Sequence, residues 1–237
     1  MLVDAAPDPF VFEFGGERWA ATPEGALYWP RRHVLLVADL HLEKASWFAA
    51  HGQMLPPYDS RATLTALDSV AAGLDAAEIW CLGDSFHDRA GQQRLDQASV
   101  MIVERLAARH RWLFVAGNHD GLPGGQWGTE SVDQIVCGDL VFRHEHEPAD
   151  ARCQLSGHFH PKTMVPMRGR NVRRACFACG ERALILPAFG SLTGGLDIDD
   201  PAIASLFAGP YAALVPTARG LARFPRPPVA KMSHNRE

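Results

Sequence analysis

An α/β fold of two packed sheets, the second more antiparallel than the first, is what this 237-residue sequence predicts. Four apolar runs, HVLLVADLH, IWCLGDSFHD, RWLFVAGNHDG and CQLSGHFH, each end in polar side chains, and helical patterns separate the first three. From about residue 139 the chain turns to short β-like runs with few helical patterns between them. Strand, loop, helix, strand is the order of an α/β domain, in which functional residues gather beyond the carboxyl ends of the strands.

Each element follows from its own pattern. DSRATLTALDSVAAGL begins with Asp59 or Ser60 as an N-cap and sets Leu64, Leu67, Val70, Ala71 and Leu74 on one helical face. QQRLDQASVMIVERLAARH does the same with Leu95, Ala98, Ile102 and Leu106, and its basic last turn suits the helix dipole. Both helices are expected to pack on a sheet. In the second half DLVFRH, CQLS, TMVPM, NVRRACFA, RALILPAFG and YAALVP read as strands. Residues 1–215 are read as one domain, and 216–237, rich in proline and arginine, as a mobile tail.

Composition narrows the classes. With 47% hydrophobic and 21% charged residues the chain can bury a substantial core. A net charge of −4 gives no global reason to bind nucleic acid, so a polyanion would need a local patch. Five cysteines, an odd number without framework spacing, speak for a reducing compartment. The first residues carry neither a basic nor an apolar leader region, and no apolar run reaches the ~20 residues of a membrane span, so a cytoplasmic protein without membrane contact is expected. Cys176 and Cys179 have CxxC spacing, but no second pair follows to complete a zinc site.

The chemistry lies in the polar ends of the four runs. Asp39 and His41 stand two apart, which on a strand end would face them to one side; Asp84 follows Gly83; Asn118 and His119 follow Gly117; His158 and His160 repeat the two-residue spacing. Any one of these is an ordinary turn. Independent turns would not supply oxygen and imidazole donors, in this order, at four successive strand ends. The donor mixture suits manganese, iron or zinc better than a thiolate-selecting metal or magnesium alone. A glycine before a cluster would let the backbone turn sharply and aim the next side chain into a cleft.

In DLH (39–41), GDSFH (83–87), GNHD (117–120), a histidine of FRHEH and GHFH (157–160) the sequence resembles the calcineurin-like metallophosphoesterase superfamily. In LLVADLHLEKASWFAAHGQMLPPYDS, CLGDSFHD, FRHEHEP, GHFHPK and LILPAFGSLTGGLDI it is similar to the bacterial ligase-associated DNA damage response endonucleases (PdeM), over about residues 12–200. The resemblance implies a four-layer α/β/β/α sandwich of two mixed sheets with a two-metal site. By position, Asp39, His41, Asp84 and His160 would hold one divalent ion, manganese foremost with iron or zinc as alternatives. Asp84, Asn118, a mid-chain histidine and His158 would hold the other, with Asp84 bridging. Two such ions activate a hydroxide for in-line attack on a phosphate diester. His119 would be the general acid or electrostatic partner at the leaving oxygen, and Asp120 would fix its turn.

Several alternatives remain open at this level. His144 and His146 both fit the mid-chain position, and counting from Gly138 favours His144. His87, where many relatives carry aspartate, would hydrogen-bond a substrate phosphate or orient Asp84. His33, His51, His110 and His234 fall outside the clusters and are read as solvent-facing. Arg168, Arg170, Arg173 and Arg174 in one hairpin, and Arg219, Arg223, Arg226 and Lys231 beyond, would follow a phosphate backbone or simply be solvated; Lys44 is a further phosphate candidate. The resemblance favours a DNA endonuclease in ligase-associated repair, with DNA or another phosphodiester as substrate and ligase or helicase repair proteins as partners. A phosphoesterase or pyrophosphatase on a nucleotide or lipid-linked small molecule is the alternative, and a non-catalytic scaffold a third. Oligomeric state is left open.

Overall fold

A computed structural model describes residues 10–121, 123, 125–167 and 169–228. Its first sheet opens with an N-terminal meander that the sequence reading did not anticipate: β1 (Val11–Phe14), β2 (Glu17–Ala21) and β3 (Leu27–Trp29). β1 and β2 are joined through Gly15 and Gly16, both at positive φ, the requirement of a tight primed hairpin turn. β4 (Val34–Val37) pairs antiparallel with β3. Helices α1 (Lys44–Ala50) and α2 (Asp59–Gly73) then lead to β5 (Glu78–Leu82). The one-turn α3 (Gly91–Arg94) and α4 (Gln97–Arg109) lead on to β6 (Arg111–Val115) and β7 (Glu130–Val132). β4 through β7 run parallel, so the carboxyl ends of β4, β5 and β6 open on one edge.

The second sheet is assembled from β8 (Ile135–Cys137), β9 (Leu140–Phe142) and β10 (Cys153–Ser156), then, after a separate hairpin of β11 (Lys162–Met167) and β12 (Arg170–Ala175), from β13 (Phe177–Cys179) and β14 (Ala183–Ile185). The one-turn α5 (Pro201–Ala204) precedes β15 (Tyr211–Thr217) and β16 (Gly220–Arg226). Its order is β16-β15-β13-β14-β10-β9-β8, with parallel pairs only at β14-β10-β9.

Strand alternation builds the layers. Val34, Leu36, Trp80, Leu82, Leu113 and Val115 face the second sheet, whereas Leu35, Val37, Ile79, Cys81, Trp112 and Phe114 face Leu64, Leu67, Ala71, Ile102, Val103 and Leu106 of α2 and α4. Between the sheets Trp19, Trp29, Trp80 and Phe142 interlock with ring centroids 4.9–6.4 Å apart. Each indole N–H is satisfied: Trp19 donates to the Phe14 carbonyl, Trp29 to Glu17 and Trp80 to Glu78. The fourth layer is thin. Ala178, Ile185, Ala213 and Val215 on the outer face of the second sheet pack against Ile203 and Ala204 of α5, with Phe207 and Val165. Among the described residues no helix is long and apolar enough to cross a membrane.

Four local expectations are corrected. Neither Asp59 nor Ser60 caps α2, whose N-cap is Tyr58; the Asp59 carboxylate accepts from the Ala45 N–H, and the Ser60 hydroxyl accepts from the Glu43 N–H while donating to the Glu43 carboxylate. They satisfy the start of α1, whose own N-cap lacks a side-chain bond. The helix expected over 92–110 is broken at Leu95: Asp96 is extended, accepts from the Ser99 N–H at 2.7 Å and starts α4, leaving Ala98 exposed and Ser99 buried. The tail expected from Pro216 is instead β-paired to Arg226, because Thr217 and Gly220 close a hairpin; residues 229–237, with Lys231 and His234, lie outside the described residues, as does Arg168. His110 is half-buried rather than solvent-facing and its Nδ1 donates to the Ala76 carbonyl at 2.7 Å.

Candidate metal centre

Four loops leave the ends of β4, β5, β6 and β10, and the loop after β9 joins them. Beyond β4 the chain stays bonded to the β5 loop, His41 N–H to the Asp84 carbonyl at 2.9 Å and Leu42 N–H to the Ser85 carbonyl at 2.9 Å. Asp39, His41, Asp84, His158 and His160 all adopt left-handed backbone, φ between 44° and 70°. Non-glycine residues rarely adopt this conformation, and such outliers gather at functional sites. The pair Asp39 and His41 therefore converges by left-handed turns and not by strand alternation, and Leu40 between them is buried in the core. The same turns send His158 and His160 into different clusters.

Two donor groups result. Asp39, His41 and His160 bring their ligand atoms within 4.8 Å of one another, as do Asp84, His144 and His158. In the first, His41 Nε2 lies 3.3 Å from His160 Nε2, and His160 Nε2 lies 3.4 Å from Asp39 Oδ1. In the second, His144 Nε2 faces Asn118 Oδ1 at 2.7 Å, His158 Nδ1 at 3.1 Å and Asp84 Oδ2 at 3.4 Å. Asp84 Oδ2 is also 3.9 Å from His41 Nε2, which puts this carboxylate between the groups.

Glycine serves two different purposes here. Gly83 does turn at φ 80°, and a Cβ there would sit 2.2 Å from the His144 ring. Gly117 and Gly157 lack positive φ, so the sharp-turn expectation fails for them; they are small because a Cβ would meet the Asp84 backbone N at 2.2 Å and Asp39 Oδ2 at 2.5 Å. Across that last contact the His158 N–H donates to the Asp39 carboxylate at 2.9 Å, tying the loop of one sheet to that of the other. The segment after β14 adds a clasp: Phe189 and Gly190 donate to the Ala38 and Asp39 carbonyls, and the Leu196 N–H to the Phe159 carbonyl.

The residues fit divalent cations. His144 Nδ1 donates to the Leu82 carbonyl at 3.1 Å, which fixes the tautomer and leaves the Nε2 lone pair aimed at Asn118 Oδ1 and Asp84. Lone pairs facing one another at such distances need a proton or a cation between them. Burial opposes protonation of His144, but the Asp84 hydrogen bond and the Asp39 and Asp84 charges lift it to about 9. Burial would raise Asp84, yet the bond and charge of His144 outweigh it and hold the carboxyl at about 2. Burial, with the His160 charge next, pulls His41 down to about 3, and its Nδ1 is buried without a hydrogen-bond partner.

His119 stands at the mouth, its side chain 44% exposed and its Nε2 3.9 Å from Asp84 Oδ2. Its backbone N–H donates to Asp84 Oδ1 at 3.0 Å. The His87 ring lies nearly parallel to His119 at 5.4 Å and also neighbours His41. Burial, and then the Lys44 charge, lower His87 to about 4. The Asp120 carboxylate accepts from the Phe86 N–H at 2.9 Å, which ties its loop to the one after β5, and burial pushes it up to about 7. Of the two mid-chain histidines only His144 reaches the clusters; His146 lines a separate cleft with Asp150, Arg182 and Phe207. Cys176 and Cys179 are buried free thiols, away from both groups.

Some neighbours of the site were not singled out from the sequence. Glu43 is buried at φ 65° and bonded to Ser60; the alternation of Asp39, His41 and Glu43 in DLHLE was the available signal. Trp47 and Phe48 of α1 flank His87 at 5.1 and 5.9 Å, and His51, expected to be uninvolved, is exposed but stacks on Trp47 at 4.0 Å. No pattern in the sequence orients these rings.

Comparison with known proteins adds relatives. Residues 32–149 match the calcineurin-like phosphoesterase family. Among solved structures, the nuclease MPE of Pseudomonas putida is similar at 30% identity and a TM-score of 0.70, covering 90% of this chain and 98% of its own. The phosphoesterase Yfce of E. coli (14% identity, 81% and 97% coverage, TM-score 0.39) and a predicted phosphoesterase of Streptococcus pneumoniae (14%, 81% and 97%, 0.33) are remoter. No curated protein sequence matches.

Proposed function

Because this chain belongs to the calcineurin-like phosphoesterase family, and is a phosphoester hydrolase, we propose that it is a two-metal phosphodiesterase that cleaves DNA. The observation that carries the reading is the pair of donor groups on either side of one carboxylate, Asp84. Asp39, His41 and His160 would hold one ion and Asn118, His144 and His158 the other, with Asp84 shared because a carboxylate has lone pairs for both. When bound, two such cations supply Lewis-acid charge to the phosphate oxygens and make water a nucleophile near neutral pH.

The chain's own residues do the rest. His119, exposed at the mouth and anchored through its backbone to Asp84, would give a proton to the leaving oxygen. His87, held neutral by burial, would donate a hydrogen bond to a phosphate oxygen without adding charge. Asp120 would keep the turn that presents Asn118 and His119. A diester of DNA as substrate is supported by the likeness to a nuclease along nearly the whole chain. The mixed imidazole and carboxylate donors support manganese, iron or zinc as the ion, manganese foremost by the family resemblance, which also supports a DNA-repair role beside a ligase.

The test is a substrate panel. Manganese-loaded protein is incubated with single-stranded, nicked and duplex DNA, with bis-p-nitrophenyl phosphate and with nucleotide diphosphates. Metal-dependent cleavage of DNA and of the small diester is expected. Turnover confined to nucleotide diphosphates would replace this reading with the small-molecule one, and a metal-loaded protein inert to every ester would end both.

A further inference from the structure

A groove of about 360 Å³ begins at His160 and runs away from the metal centre along the β11–β12 hairpin. Lys162, Arg173 and Arg174 line it, against one acidic side chain, Glu24. The hairpin register, Lys162 opposite Ala175 and Met164 opposite Arg173, puts Lys162 and Arg173 on the same face of the ribbon and Arg174, opposite Thr163, on the other, where its guanidinium reaches Met167 Sδ at 3.9 Å. Lys162 Nζ donates to the Thr193 carbonyl at 3.2 Å and the Arg173 guanidinium to the Gly195 carbonyl at 2.9 Å. Each cation is thus oriented by one backbone bond and keeps other N–H donors free.

None of the three forms an ion pair with a carboxylate among the described residues, whereas Arg31, Arg61, Arg94, Arg105, Arg109, Arg111, Arg143, Arg152 and Arg226 all do. In a chain of net charge −4, the unpaired Lys162 and Arg173 on one face of the ribbon beside the reaction centre form a local positive patch. Like charges held side by side repel, and an anion between them removes that penalty. A polyanion that enters the site at one phosphate must carry its next phosphates outward, and this groove starts at His160, a member of the first donor group.

We propose that Lys162 and Arg173 bind the backbone phosphates of the nucleic-acid strand flanking the scissile bond. The inference rests on the phosphodiesterase reading above. These contacts position the strand and read no bases, so they set affinity and salt dependence and leave the chemistry alone.

Binding and cleavage are measured separately. Fluorescence anisotropy of a labelled single-stranded oligonucleotide at several salt concentrations compares the parent with Arg173→Gln and the charge-keeping Arg173→Lys. The Arg173 side chain is exposed, and hydrolysis of bis-p-nitrophenyl phosphate, too short to reach the groove, serves as the control for an intact centre. The Gln variant should bind several-fold more weakly at low salt, with the slope of log affinity against log salt shallower by about 0.7, the value for one phosphate contact on a single strand. The Lys variant should keep the parental slope, and all three proteins should hydrolyse the small diester equally. An unchanged slope, equal losses on both substrates, or a parent that does not bind the strand would overturn the inference. A parent that binds through Arg173 yet hydrolyses no diester would overturn the phosphodiesterase reading instead and leave the groove standing.

Discussion

His119 and Asp84 touch through one hydrogen bond, yet their replacement should separate two functions. His119→Ala leaves every donor of the two clusters in place, so elemental analysis should find parental metal content while turnover of an unactivated diester falls by on the order of 10²–10⁴. Parental turnover would remove His119 from proton transfer. Asp84→Asn keeps shape but loses the shared negative charge, and metal content should drop; retention of both ions would show that this carboxylate does not bridge. The left-handed backbone at the candidate ligands offers a third test, because a side chain costs about 1–2 kcal/mol there and glycine does not. Stripped of metal, His160→Gly should be more stable to urea than His160→Ala by about 1 kcal/mol, the reverse of the order in a helix or strand. Equal midpoints would mean the turn relaxes without its imidazole.

At the level of the element, α4 depends on a cap that displaced part of its own expected length. Asp96 accepts from the Ser99 N–H, and that bond, with the Ser99 hydroxyl and Arg61 behind it, holds the carboxyl below the usual range. Asp96→Ala should cost about 1 kcal/mol near neutrality. A depressed folded pKa means this stability is complete above the unfolded value of about 3.9 and fades as pH falls through the folded one. The gap between parent and variant in urea titrations should therefore be full at pH 7 and narrow below about pH 4; a gap that widens in acid would contradict the cap. α2 makes the complementary point. Asp59 and Ser60 look like its cap in the sequence, but they are used to begin α1, the helix that carries Lys44, Trp47 and Phe48 beside His87.

For the whole molecule, the centre exists only while the sheets stay in register, since Asp39, His41, Asp84 and Asn118 come from the first and His144, His158 and His160 from the second. The packing that enforces this is aromatic. Trp29 is 1% exposed and meets Trp19, Trp80 and Phe142 between the layers. Trp29→Ala should lower the unfolding free energy by about 3–5 kcal/mol with the urea m-value unchanged. A loss well under 1 kcal/mol would show that the inter-sheet core closes without it. The extended edge hairpin to Arg226, in place of a loose tail, adds to the same body: Arg226 pairs with Asp199 and donates to Thr163.

Periodicity and residue chemistry were enough, in the sequence alone, for the α/β class, the apolar face of α2, and the glycine-flanked donors at the strand ends, because burial and coordination both demand particular side chains at particular spacings. Other features had no such trace. His144 and His146 share spacing and chemistry, and only the packing of the β9 loop against Gly83 decides which ring reaches Asp84. Asp39 and His41 look like neighbours on a strand face, but they converge through left-handed turns that leave no periodic signal. The N-terminal meander, the rings around His87 and the groove from His160 to Arg173 depend on which loops of two sheets meet, and contacts between distant segments are set by the free energy of the whole packed molecule.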